Sequence, residues 1–190
     1  MKLLAPLGYL KIRHDEKWKY DFGYPVLGAL MLTICYGVMS VPFSILGKGG
    51  LVPQVNGLLQ VLIGFYIAAL AAVATFSNPA IDELMAGTPP TIKEQYRENW
   101  LVVPLKRRRF LCYLFGYLAL LSFSVFGFGL AVSLFTDSVI NFIILHSSPV
   151  VLKCFKVMFL FIYSTVLLNL VTTTLLGLYY LSIRIHQPNL

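Results

Sequence analysis

Four stretches of the chain contain no Asp, Glu, Lys or Arg: residues 26–46, 54–76, 110–135 and 157–183. Each is long enough to carry a helix across a ~30 Å hydrocarbon core, which takes about 20 residues at 1.5 Å per residue. Together they hold 97 of the 190 residues, and all 23 charged side chains fall in the other 93. That is about the one-in-four density of an ordinary soluble protein. Helices of a soluble core keep a polar outer face, and these stretches have no charge with which to build one. In lipid, helices and closed barrels alone satisfy every backbone hydrogen bond. The pattern predicts an all-α membrane protein with four transmembrane helices arranged as two antiparallel hairpins.

Orientation follows from the basic residues. With the N-terminus in the cytosol, Lys2, Lys11, Arg13, Lys17, Lys19, Lys93, Arg97, Lys106, Arg107, Arg108, Arg109 and Arg184 lie inside, and only Lys48, Lys153 and Lys156 outside. Twelve against three is the asymmetry of the positive-inside rule, so both termini are expected in the cytosol. The net charge of +7 is then a topology signal and needs no nucleic acid to explain it. An apolar patch in the first ten residues is interrupted by Pro6 and followed by basic residues, without a small-residue cleavage site. The first span is expected to stay in the mature chain.

The layout is a cytosolic N-terminal segment (1–25), the first two spans (26–46 and 54–76), a cytosolic loop (77–109), the third span (110–135), an outer loop (136–156), the fourth span (157–183) and a cytosolic tail (184–190). Gly47, Gly49 and Gly50 make a tight turn that predicts spans one and two as antiparallel neighbours. The cytosolic loop carries helix signals: Asn78 before Pro79 opens one helix through Met85, and Thr91 with Glu94 forms a capping box for a second that reaches Leu101. This element is too short to bury a core alone and is expected to pack on a second copy, the head or a partner. In the head, Trp18, Tyr20, Phe22 and Tyr24 alternate with Lys19, Asp21 and Gly23. That alternation fits an extended segment at the headgroups, where aromatic and basic residues are favoured, or else two short strands around His14, Asp15 and Glu16. In the outer loop, Val139, Ile140, Phe142, Ile143, Ile144 and Leu145 form an apolar patch too short to span. It reads as an interfacial or re-entrant helix, the alternative being an extension of span three.

Charged groups within spans mark ion paths and proton relays, and none falls in these four stretches. What remains is Gln60 in span two and Ser164, Thr165, Asn169, Thr172, Thr173 and Thr174 in span four, read as interhelical hydrogen-bonding groups in preference to a pore lining. Asn169 has the sharpest need of a partner. Small residues one turn apart, Ala29, Thr33 and Gly37 in span one and Gly64, Ala68 and Ala72 in span two, permit close helix packing within or between subunits. Homo-oligomerisation is expected because four helices bury little interior. Cys35, Cys112 and Cys154 lie at different depths and cannot pair within one chain. The histidines are dispersed, and no motif for nucleophilic, metal or phosphate chemistry occurs. No catalytic residue, cofactor site or metal site is assigned, and no enzyme activity is expected. Lys106, Arg107, Arg108 and Arg109 are expected to anchor the chain to anionic lipids of the inner leaflet. Asp82, Glu83, Lys93, Glu94, Arg97 and Glu98, with Trp18 and Tyr20 of the head, are candidates for docking a cytosolic partner.

In size, four spans, cytosolic termini and a structured inner loop, the whole chain resembles the membrane subunit of the bacterial Kiwa anti-phage defence system. That resemblance implies a bacterial inner-membrane homo-oligomer, a tetramer in that family, that senses infection at the envelope and holds a cytosolic DNA-binding effector at its inner face. On this sequence the inner loop and head would dock the effector, and residues 136–156 would face the envelope. The leading expectation is a non-enzymatic sensor or scaffold. The second is a small homo-oligomeric pore, lined by the polar face of span four, that depolarises the membrane.

Overall fold

The computed structural model of the chain describes residues 4–47, 49–76, 79–85, 88–96, 99–146 and 149–184, with residues 96, 136–146 and 149 described by backbone alone. Four helices dominate: α1 (Tyr24–Val38), α2 (Leu51–Thr75), α3 (Arg107–His146) and α4 (Pro149–Ser182). A π-helical turn, Lys19–Gly23, leads straight into α1. Four segments are long and apolar enough to cross a membrane: Lys19–Val38, Leu51–Thr75, Arg107–Phe135 and Val150–Ser182. No more than 28% of any of them is buried within the chain, so most of their apolar surface faces outward, as lipid contact requires. This is a four-helix, all-α membrane protein, as the uncharged stretches predict.

The first span lies several residues earlier than expected. Pro42 has no N–H to bond the carbonyl of Val38 and its ring clashes there, so the helix ends at Val38 and Met39 turns extended, with ψ of 129°. At the other end Pro25 sits harmlessly in the first turn of α1. The π turn then carries the helical path back to Lys19 and draws Asp21 into it.

α2 packs along α3, α1 along α4, and α3 against α4. α1 and α2, expected as antiparallel neighbours, do not pack along each other. Residues 39–50 connect them, and twelve residues reach up to ~40 Å when extended, so the connection imposes no contact. Gly47 and Gly49 adopt positive φ of 95° and 76° there, which is open to glycine at no steric cost. Close approaches are made at Gly28 and Gly129. A Cβ on Gly28 would meet Leu168 Cδ1 at 2.9 Å, and one on Gly129 would fall 2.8 Å from Asn56 Nδ2. Ala29 is fully buried, but Gly37 and Gly64 have open space beside them.

α3 is 40 residues long, roughly 60 Å. The outer loop expected over residues 136–156 is instead the far end of α3 and the start of α4. No Gly or Pro falls between residues 130 and 146, so nothing in that stretch ends the helix. Ile140, Phe142, Ile143 and Ile144 lie on this extension, and their side chains fall outside the described residues.

The helix expected from Thr91 is a β-hairpin. β1 (Thr91–Tyr96) pairs antiparallel with β2 (Asn99–Pro104), from Thr91↔Pro104 to Tyr96↔Asn99. Ile92, Tyr96, Trp100, Val102 and Val103 favour the pleated surface over the helix, and Ile92 is buried while Lys93 faces solvent, the two-residue period of a strand. Ahead of it, Pro79–Ile81 form a single 3-10 turn in place of a helix to Met85. The head is neither extended nor a strand pair: Ala5–Lys11 is a 3-10 helix, packed on α3. Arg13 and Thr91 then exchange two backbone hydrogen bonds, 2.8 and 3.0 Å, stitching head to hairpin. Ile12, Ile81, Met85, Ile92 and Leu105 are buried together with this end of α3, so the connector gains its core from the head and α3.

Candidate functional site at the basic end of the bundle

Asp21, Asn169 and Tyr9, far apart in sequence, meet where the head, the π turn, α3 and α4 converge. The Tyr9 hydroxyl donates to Asp21 Oδ1 at 3.1 Å, and the Lys17 ammonium pairs with the same carboxylate. Lys17 Nζ also lies 4.1 Å from the centroid of the Tyr9 ring, which stacks on Tyr117 at 4.9 Å. Tyr117 in turn donates to Asn169 Oδ1 at 2.8 Å, and Asn169 Nδ2 donates to the backbone carbonyl of Asp21 at 2.7 Å. One turn further along α4, Thr172 donates to the carbonyl of Tyr20 at 3.0 Å. Asn169 and Thr172 thereby clasp the π turn from the side. The Lys17 and Asp21 side chains are only 10% and 2% exposed, a depth at which an ionised group persists only when paired. Burial first, and the adjacent Asp21 carboxylate second, push the Tyr9 hydroxyl well above its ordinary pKa, so it remains a donor.

The arginines that open α3 bind the connector. Arg108 holds Asp82 with two hydrogen bonds, 2.7 and 3.0 Å, and donates to the carbonyl of Val73 at 2.9 Å. It thus caps the C-terminal carbonyls of α2, where a cation is favoured. Arg109 pairs with Glu94 of β1, and the buried Arg107 reaches the carbonyl of Ala80 at 3.3 Å. The Arg108 hydrogen bond holds the Asp82 carboxyl below its ordinary range. The expected anchor is therefore engaged within the chain: of the four basic residues, Lys106 is the exposed one, Arg107 and Arg108 hold the segment ahead of the hairpin, and Arg109 holds the hairpin itself.

The expected docking face changes accordingly. Asp82 and Glu94 are engaged by Arg108 and Arg109, and the Glu83 carbonyl accepts from the backbone N–H of Arg107. Lys93 and Trp18 are exposed, Tyr20 partly so, and Arg97 and Glu98 lie outside the described residues. In their place β2 presents an apolar surface, with Trp100 67% exposed and Leu101 and Val102 about half exposed. Of the packing residues, Ala29 is buried and Thr33 donates to its carbonyl at 2.7 Å. Gly64 and Ala68 face outward beside Gln60, with Ala72 half-buried on the same line. Asn169 has the partners an amide in an apolar run demands. The sequence reading passed over Lys17, Tyr9, Tyr117, Asp21 and Asn56. For Asp21 the available signal was its place only five residues ahead of the uncharged stretch.

Beside the cluster a cavity of about 730 Å³ opens between the head, the end of α4 and the base of the hairpin. Tyr9 and Lys17 belong to its wall, with His14, Asp15, Glu16 and Arg184. The cluster therefore has a face toward open space. Comparison of the chain with protein-family models, curated proteins and solved structures yields no match to any of them.

Proposed function

We propose that the chain is a non-enzymatic, self-associating membrane scaffold whose basic end faces the cytosol and docks a water-soluble protein there. The observation that carries this reading is the β-hairpin. A two-stranded hairpin is marginal alone, yet this one is fixed by Arg109 of α3 on Glu94 and by the bridge to Arg13 while it presents Trp100, Leu101 and Val102 outward. Exposed aromatic and apolar groups on a rigid mount are the ingredients of a binding hot spot. The twelve-to-three distribution of basic residues supports a cytosolic setting for it. Along α2, Gln60, Gly64 and Ala68 lie one turn apart on an exposed face, with open space beside Gly64 among the described residues, which suits contact between copies. In a Kiwa-like bacterial inner-membrane setting, the docked protein is the DNA-binding effector.

The pore reading draws less support. Along α4 the Ser164, Thr165 and Thr174 hydroxyls donate to carbonyls one turn back, Thr172 is engaged with the Tyr20 carbonyl, and Tyr66 meets Thr174 at 2.6 Å. The scaffold reading is tested with Trp100→Ser and Val102→Ser together in the full chain. Membrane insertion should persist, and co-purification of the proposed cytosolic DNA-binding protein should fall at least about tenfold, the effect of losing ~1.4 kcal/mol. Undiminished recruitment, or collapse of the membrane potential on expression of the wild type, would overturn it.

A further inference from the structure

We propose that the cavity at the basic end binds the headgroup of an ethanolamine phospholipid, its phosphate held by Lys17 and Arg184 and its ammonium by Asp15 and Glu16. The cavity's place comes first: it lies along the end of α4 from Thr172 to Tyr180, with Arg184 just past that helix and Phe110 at the start of α3, at the ends of two apolar spans. Its walls are amphipathic in the same sense as a lipid. Leu175 and Leu176 supply the apolar part, and Tyr20, Tyr24, Tyr179 and Tyr180 are the aromatics that favour the headgroup level. Its volume of about 730 Å³ is that of a small-molecule site.

Charge then selects the ligand. Lys17 and Arg184 favour a phosphate, yet Asp15 and Glu16 line the same space, so a purely anionic headgroup would face two carboxylates. A zwitterion matches both signs. The carboxylates accept hydrogen bonds, which a primary ammonium donates and a quaternary choline cannot. Lys17, in the cavity wall, is held in place. Asp21 engages its ammonium and the Tyr9 ring covers one face, so the group is held without rotamer freedom, and an ammonium has three donors. Holding the donor in place beforehand lowers the ordering cost of binding.

The experiment uses the full chain in nanodiscs made with phosphatidylethanolamine, phosphatidylcholine or phosphatidylglycerol, followed by mild extraction and mass measurement of retained lipid. The wild type should retain the ethanolamine lipid over the other two by at least about tenfold. Arg184→Gln should reduce retention, and Asp15→Asn with Glu16→Gln should erase the preference over choline while retaining binding. These are substitutions at the cavity's margin that leave the Lys17–Asp21 pair intact, and an unchanged thermal midpoint in detergent checks the fold. Equal retention of the three lipids, or an unaltered preference in the variants, would overturn the proposal. So would protection by water-soluble phosphoethanolamine at concentrations where the lipid gives none, which would assign the site to a soluble phosphate ester.

Discussion

Asn169 joins a hydroxyl from α3 to a backbone carbonyl of the π turn, and both would lose their partner in Asn169→Leu. Each stranded buried polar group costs about 1–3 kcal/mol, so this variant should lose roughly 2–4 kcal/mol, measured by thermal or denaturant unfolding in detergent. Tyr9 offers a second measurement. Its folded-state pKa lies above the unfolded value of 10.0, so its contribution is fully present below pH 10 and is lost as pH rises beyond it. Stability should fall between pH 10 and 11, and the fall should be shallower in Tyr9→Phe. At this scale the sequence was half legible. An amide in an apolar run declares its need, because lipid offers it no water. Its partners did not declare themselves, since Tyr117 sits in another uncharged stretch among many apolar residues and Asp21 reaches it through a π turn, which leaves no periodic mark in the sequence.

Among the elements, the spans were readable because length and absence of charge are one-dimensional properties. Span one was misplaced at both ends for local reasons: Pro42 stops it early, and charges at Lys19 and Asp21 disguise its start. The hairpin was misread because Thr91 and Glu94 fit a capping box as well as they fit a strand whose Glu94 faces Arg109; the choice rests on a tertiary ion pair. Two glycines separate packing inside the chain from packing outside it. Gly129→Ala puts a methyl group against the Asn56 amide and should cost about 1–3 kcal/mol. Gly64→Ile, with open space beside it, should leave the unfolding midpoint of the monomer unchanged and weaken self-association, read by crosslinking in membranes. The connector has its own pH signature. Asp82 is held below its ordinary 3.8 by Arg108, so its contribution is present above that value and is lost only as pH falls through the lowered one. Amide-exchange protection of Leu105 and Arg107 should therefore persist at pH 4.

For the whole molecule, the basic end gathers the head, the connector and the end of α4, while the far end is the extended pair of α3 and α4. Orientation is checked with the native cysteines. Cys154 is exposed near the start of α4, and Cys112 is half-buried at the opposite end beside the arginines. A membrane-impermeant maleimide applied to intact cells should label Cys154 and spare Cys112 until the membrane is opened. The reverse pattern would turn the molecule over.

The unbroken length of α3 has a mechanical consequence. Its first turn grips Glu94 and Asp82, and its backbone runs on to His146 at the far end. A straight rod of roughly 60 Å pivoting at its middle by 10° displaces each tip by about 5 Å, close to one helical pitch. Gly127 and Gly129 sit next to that pivot, so a push at the far tip divides between bending there and movement of the hairpin.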